Sequence, residues 1–325
     1  MDRDANILIL GKIHDAGLDL LRAEHELSIT ELPDHSPELK RHLSEAHAII
    51  VRMTKIGAEE IAAAPGLKIV ARHGVGYDTV DVEALTARGI PLTIVGNVNA
   101  VAVAEHALAL MLALAKRVLR YDAATRAGNF DIRNTFSLRE LYERTVLVIG
   151  FGRIGRETAR RCAAFGMEVI IADPFVAASD VRAYGYRYAG DFRAVLAEAD
   201  YVTLHVPKSP QTENMIGTEE LSAMKPGACL INASRGGLVD EQALYASLSG
   251  GHLGGAGLDV FEPEPPATDH PLFGLDTVIV SPHCAAFTKE CGRRMAVSCA
   301  ESVLARLAGT LTADLVVNES VLTDN

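Results

Sequence analysis

Three ionisable residues stand in motifs that could share one reaction. Arg235 lies in Asn232-Ala233-Ser234-Arg235-Gly236-Gly237, Glu264 in Asp259-Val260-Phe261-Glu262-Pro263-Glu264-Pro265, and His283 in Ser281-Pro282-His283. A planar guanidinium binds a carboxylate bidentately and can hold an adjacent carbonyl in place. An imidazole can give a proton to a carbonyl oxygen and recover it in the reverse direction. A carboxylate hydrogen-bonded to that imidazole stabilises its protonated form and fixes its orientation. The set suits reduction of a 2-oxo acid by a hydride carrier. Each residue alone has a plainer reading: Arg235 as a surface turn residue, Glu264 as a solvated side chain in a Pro-rich loop, His283 as a buried structural histidine. Each, however, follows a predicted strand at the same edge of one sheet, where open α/β sheets bind ligands.

A hydride carrier needs a site, and Gly150-Phe151-Gly152-Arg153-Ile154-Gly155 is a candidate. The apolar run Thr145-Val146-Leu147-Val148-Ile149 before it reads as a buried parallel strand. Helical spacing from Ile154 to Phe165 follows, then a second strand, Glu168-Val169-Ile170-Ile171-Ala172, ending in Asp173. This order is the dinucleotide-binding fingerprint. Gly150 permits the tight turn, Gly152 lets a pyrophosphate approach the backbone, and Gly155 lets helix and sheet pack closely. The helix N-terminus favours an anion. Asp173, 18 residues after Gly155, is placed to accept hydrogen bonds from a ribose and to repel a 2′-phosphate, which favours NAD over NADP. FAD is the main competitor, but its fingerprint usually opens a chain, and this one lies in the middle.

These residues need two α/β units to position them. Candidate strands in the first are Asn6–Leu10, Glu26–Thr30, Ala48–Val51, Leu67–Ala71 and Pro91–Ile94, with helices such as Ala16–Glu24 and Ala58–Ala63 between them. A long helix is predicted from Ala100 to Leu119. The second unit starts at Thr145 and continues with strands Tyr201–Val206, Ala228–Ile231, Gly255–Leu258 and Thr277–Val280. Helix returns over Glu290–Leu307, before a polar tail. The expected architecture is α/β: two Rossmann-like or flavodoxin-like domains, with parallel sheets flanked by helices and the active site in the cleft between them. The flavodoxin-like, substrate-binding domain is expected at 1–99 plus 288–325 and the dinucleotide-binding domain at 100–287.

The 325 residues suit two domains, and 49% of them are hydrophobic, enough for sizeable cores. A net charge of −11, with no dense Lys/Arg cluster, argues against nucleic acid and anionic membranes as partners. Met1-Asp2-Arg3-Asp4 is charged and the next apolar stretch, Ile7–Leu10, is short, so no signal peptide is expected. The apolar helix around Ala107–Ala115 is too short to span a bilayer. Cys162, Cys229, Cys284, Cys291 and Cys299 form no CxxC pair and no metal-ligand pattern. They read as free thiols in a reducing cytoplasm, with no metal site.

The motifs at 150–155, 232–237, 258–265 and 282–283 together resemble the D-isomer-specific 2-hydroxyacid dehydrogenases, over nearly the whole chain. The resemblance implies that Arg235 holds the substrate carboxylate, that His283 is the acid/base and that Glu264 is its partner. It implies that the backbone of Arg153 and Ile154 meets the pyrophosphate, that His205, Pro207 and Thr212 belong to a cofactor loop, and that Asp259 holds the nicotinamide amide with help from the backbone at Ala233. It also implies a homodimer, with the Ala100 helix and nearby arms at the interface, although that helix could equally be internal core. Formate dehydrogenases of this superfamily carry glutamine where Glu264 stands, so the acid favours a carbonyl/hydroxyl substrate that exchanges a proton.

Arg72-His73-Gly74-Val75-Gly76-Tyr77-Asp78 matches the family's substrate loop, where the N–H groups of Val75 and Gly76 would form an anion nest. A plain glycine turn is compatible with that reading. Arg52 and Arg72 resemble the arginines near the substrate phosphate in 3-phosphoglycerate dehydrogenases, though Arg52 could instead only close its loop. The leading expectation is thus a short-form, NAD-dependent 3-phosphoglycerate dehydrogenase without a regulatory domain. Hydroxypyruvate or glyoxylate reduction, or another C3 2-hydroxy acid, is the alternative, and an NAD-sensing corepressor-like interaction protein is a remote one. Cys284, directly after His283, departs from the usual aliphatic residue. Glu105-His106 matches a motif read as structural support near the nicotinamide.

Overall fold

The structure is a computed structural model that describes residues 5–24 and 26–322. The charged start Met1–Asp4 and the last three residues of the polar tail lie outside them. The chain forms two compact units: one runs up to Asn99 and resumes at Phe287, and the other is Ala100–Ala286.

The first unit carries strands β1 (Ala5–Leu10), β2 (Leu27–Leu32), β3 (Ala48–Val51), β4 (Ile69–Arg72) and β5 (Leu92–Thr93), with helices α1 (Asp15–Arg22), α2 (Leu39–Leu43), α3 (Ala58–Ala62) and α4 (Val82–Ala87). All strand pairs are parallel, in the order β2-β1-β3-β4-β5. Strand β5 is shorter than the run Pro91–Ile94 suggests, because proline has no N–H to give the ladder and the Ile94 N–H turns to Leu315 O at 2.9 Å.

The second unit opens with α5 (Ala100–Ala115) and α6 (Val118–Arg126). The single helix expected over Ala100–Leu119 is therefore two. Nine residues of α5 are buried and none of α6 is, so no core holds the second segment in line with the first. Arg117 marks the break with a left-handed φ of 46°. The sheet follows: β6 (Thr145–Ile149), β7 (Glu168–Ala172), β8 (Arg187–Ala189), β9 (Tyr201–Leu204), β10 (Cys229–Asn232), β11 (Gly255–Leu258) and β12 (Val278–Val280). Helices α7 (Arg153–Ala164), α8 (Ala178–Ala183), α9 (Thr218–Ala223) and α10 (Glu241–Ser249) lie among them, and α11 (Lys289–Leu307) returns to the first unit. The strands are all parallel, in the order β12-β11-β10-β9-β6-β7-β8. Strand β8 was not expected: three residues carry no readable period. Period-two alternation puts Val146 and Val148 in one core with Met111 and Cys162, and Leu147 and Ile149 in the other with Leu230 and Leu258. The chain runs outward from β6 through β7 and β8, then restarts at β9 on the other side of β6. The strand order reverses there, where ligands bind beyond the carboxyl ends of such sheets. Among the described residues no helix is long and apolar enough to cross a membrane.

Two glycines of the turn after β6 are fixed by close contact. Gly150 has φ +95°, and Gly155 would place a Cβ 2.0 Å from Gly150 O. A Cβ at Gly152 would meet no atom within 4 Å. Gly155→Ala is therefore expected to lower stability by about 1–3 kcal/mol in urea unfolding, and Gly152→Ala to change it by less than about 0.5 kcal/mol. Equal effects would contradict this packing.

Two imidazoles lie just past strand ends. His73, after β4, is buried beside the Arg52 and Arg72 guanidinium groups; burial first, then these charges, push its pKa down to about 3. Burial takes His205, after β9, down to about 4. On unfolding both return to about 6.5, so the unfolded chain takes up protons first as pH falls. The stability from burying them neutral is complete above about pH 6.5 and is lost as pH falls through that value towards 4 and 3. The urea midpoint should drop between about pH 7 and 5.5, above the carboxylate range, and the drop should shrink in His73→Phe. A midpoint flat across that interval would contradict it.

Candidate active site

The turn after β6 is held by close contacts and by a carboxylate. Gly152 caps α7 in an extended conformation, and Arg153 is the first residue of that helix. The open side of Gly152 and the α7 N-terminus together suit an approaching pyrophosphate. Phe151 is buried edge-on against Tyr184 and Tyr186. Ile154 packs against Val103, Ala233 and Ala285. Asp173 is tied to the same turn: its Oδ2 accepts the Phe151 N–H at 2.7 Å, and its Oδ1 accepts the Phe175 N–H at 2.8 Å. The sequence pattern placed this carboxylate but did not reveal that it braces the glycine turn. Each oxygen keeps lone-pair capacity for a hydroxyl.

The loop after β9 is closed by Thr212, whose Oγ1 donates to Pro207 O at 2.7 Å and accepts the Ser209 N–H at 2.8 Å. His205 turns its Nε2 back to Thr203 Oγ1 at 3.1 Å. Its carbonyl oxygen lies against Gly150, so this loop and the glycine turn are in contact.

After β10, Asn232 organises the turn that carries Arg235. Its Nδ2 donates to Arg235 O at 2.8 Å and its Oδ1 accepts the Ser234 N–H at 3.1 Å. Arg235 Nη1 donates to Ser234 O at 2.7 Å, and Ala233 is buried. After β11, Asp259 is wholly buried. Its Oδ1 accepts the Ser281 hydroxyl at 2.5 Å and the Cys284 N–H at 2.9 Å; its Oδ2 accepts the Ala285 N–H at 2.9 Å. Its backbone carbonyl accepts the His283 N–H at 2.7 Å. His283 is thus held with a left-handed φ of 51°. Its Nδ1 meets Glu264 Oε2 at 2.7 Å, while Glu264 Oε1 accepts the Phe261 N–H at 3.0 Å. A carboxylate accepts only, so Nδ1 carries the proton of that bond and Nε2 is left to exchange one. His106, on α5, reaches Ser281 Oγ at 2.9 Å and stands 3.6 Å from Asp259 Oδ1. Nothing local in the sequence links residues 106 and 259.

In the first unit, Arg52 Nη1 donates to Lys12 O at 2.7 Å, and its guanidinium lies 4.5 Å from the centre of the Phe287 ring. Loop closure is therefore one role Arg52 fills. Arg72 ends β4, is buried, and donates to His73 O at 2.5 Å. Val75 and Gly76 are half-buried in the loop that follows, whose Gly74 O accepts the Val95 N–H at 3.1 Å.

Residues 108–285 match the family described as D-isomer specific 2-hydroxyacid dehydrogenase, NAD binding domain. The chain is 44% identical over 322 residues to a D-3-phosphoglycerate dehydrogenase of Mycobacterium leprae, covering 97% of this chain and 60% of that one. It therefore spans about three fifths of that relative's length. It is 37% identical over 321 residues to a glyoxylate reductase of Korarchaeum cryptofilum, covering 97% of this chain and 96% of the other. A solved D-lactate dehydrogenase of Aquifex aeolicus, complexed with NAD and lactic acid, superposes with a TM-score of 0.88 at 32% identity, over 96% of this chain and 99% of that one. The glycine turn, the Asp173 brace and these likenesses converge: the chain belongs to the D-isomer-specific 2-hydroxyacid dehydrogenases, and residues 108–285 are the family's NAD-binding domain.

Proposed function

We propose that this chain is an NAD-dependent D-2-hydroxyacid dehydrogenase whose substrate is 3-phosphoglycerate. The observation that carries the reaction class is the 2.7 Å contact between His283 Nδ1 and Glu264 Oε2. It orients the ring so that Nε2 gives a proton to the substrate oxygen in reduction and takes one in oxidation. Arg235 binds the substrate carboxylate and sets the reacting carbon. The bound nicotinamide supplies or accepts the hydride. Gly150, Gly152, Gly155 and the backbone of Arg153 and Ile154 cradle the pyrophosphate, and Asp173 takes the ribose hydroxyls. His205, Pro207 and Thr212 line the cofactor, while Asp259 and the Ala233 backbone hold the nicotinamide amide. Val75 and Gly76 offer their N–H groups to the substrate carboxylate.

The phosphate reading rests on Arg52 and Arg72, whose charges both bear on His73 and so share one neighbourhood. A dianion suits that field. The relatives named D-3-phosphoglycerate dehydrogenase support the same choice. Hydroxypyruvate or glyoxylate reduction is the second reading, favoured by the glyoxylate reductase relative and by the tie of Arg52 to Lys12 O. The exposed Leu119, Phe130 and Phe136, on and just after α6, fit a homodimer arm. Five free cysteines fit a reducing compartment such as the cytoplasm.

Arg235→Ala should cut turnover of a 2-oxo acid at least about 100-fold while NADH still binds; unchanged turnover would overturn the assignment. NADH oxidation with 3-phosphohydroxypyruvate and with hydroxypyruvate, at matched concentrations, decides the substrate. The phosphorylated compound should be strongly preferred, and Arg52→Ala should erase the preference. Preference for the other compound would discard the phosphate pocket.

A further inference from the structure

We propose that His106, Asp259 and Cys284 form a binding site for a divalent transition metal of the zinc type. The three residues come from α5, the end of β11 and the loop after His283, all within the second unit. One ligand atom from each, an imidazole nitrogen, a carboxylate oxygen and a thiol sulfur, lies within 4.8 Å of the other two. The imidazole Nε2 and the carboxylate Oδ1 are 3.6 Å apart. Zinc bonds of about 2.0–2.3 Å in tetrahedral geometry span ligand pairs about 3.3–3.7 Å apart, so small side-chain rotations close the site. Ser281 Oγ, 2.9 Å from Nε2 and 2.5 Å from Oδ1, is closer to both than two ligands of one ion would be, so it must swing away before its oxygen, or a water, fills the fourth position.

The burial of Asp259 favours a cation, which must also draw the proton from a Cys284 thiol that burial and the Asp259 charge push up. Asp259 is the one Asp or Glu among the described residues that is buried, and its donors are a hydroxyl and two backbone N–H groups. A carboxylate taken out of water gains most from a cation, and a metal ion supplies more charge than these dipoles. Sulfur, nitrogen and oxygen together select zinc or cobalt over magnesium or calcium. Cys162, Cys229, Cys291 and Cys299 are buried, whereas Cys284 is only partly so. On binding, the Cys284 thiol passes its proton to solvent and Ser281 turns its hydroxyl proton away from Asp259.

One consequence rests on the function proposed above. If Asp259 holds the nicotinamide amide, metal and NADH exclude each other, and zinc is an inhibitor competitive with the cofactor.

The test uses the full chain after treatment with a chelator. Cobalt(II) chloride is added and the thiolate-to-cobalt charge-transfer band is followed; zinc chloride should bleach it. Cys284→Ala should lose the band and weaken zinc binding by about tenfold or more. In the unmutated protein, zinc should protect Cys284 from iodoacetamide, read by peptide mass spectrometry, which covers the case of a variant that does not fold. A band that persists in Cys284→Ala, or Cys284 alkylated equally with and without zinc, would overturn the site. NADH separates the two claims. Release of cobalt by NADH supports both. Cobalt retained with NADH bound keeps the metal site and removes Asp259 from the cofactor. NADH binding with no cobalt band removes the metal site alone.

Discussion

The burial of the Asp259 carboxylate is the constraint on which the rest of the site depends. A charged group out of water costs several kcal/mol unless its lone pairs are satisfied. Here the satisfaction comes from one short loop: the Ser281 hydroxyl and the N–H groups of Cys284 and Ala285 converge on its two oxygens. The Asp259 carbonyl takes the His283 N–H as well. With Ser281 before His283 and Cys284 directly after it both tied to the Asp259 carboxylate, the histidine backbone is held at φ 51° and its ring is delivered to Glu264. Hydrogen bonds to a charged group contribute about 1.5–3 kcal/mol each, enough together to hold a conformation that costs about 1–3 kcal/mol.

A second carboxylate does the same work at the other side of the sheet reversal. Asp173, past β7, accepts the N–H of Phe151, past β6, so neighbouring strand ends are tied by a charge-assisted bond. Phe151 contributes its ring to the core at the same time. The glycine turn is thus held from both faces, and its backbone is preorganised where an anion would lie. Thr212 closes the next loop with its single hydroxyl.

The parts of this arrangement that were legible in the sequence are those written locally. The glycine spacing, the apolar runs around it and the acids and histidine after strands all lie within a few residues of the element that positions them. What was not legible depends on distance. His106 and Asp259 are separated by 153 residues, and Cys284 arrives from a third element, so no spacing rule joins them. The break at Arg117 depends on where the core ends, because the apolar pattern of α5 does not stop sharply in the sequence. Strand β8 exists because β7 offers an unpaired edge, not because Arg187-Tyr188-Ala189 is a strong strand former. Asp173 stands directly after β7, as the spacing suggests, yet its grip on Phe151 could be seen only once β6 and β7 were side by side.

In the proposed function, Glu264 holds His283 for proton transfer to a carbonyl oxygen. Glu264→Gln tests it most directly, because glutamine keeps the size and an acceptor oxygen but removes the charge. Steady-state reduction of 3-phosphohydroxypyruvate and hydroxypyruvate would be measured beside NADH binding by fluorescence. NADH binding is expected within about twofold of the parent chain, with turnover lower by about 100-fold or more with whichever acid is the substrate. Turnover equal to that of the parent chain, with NADH bound normally, would contradict it.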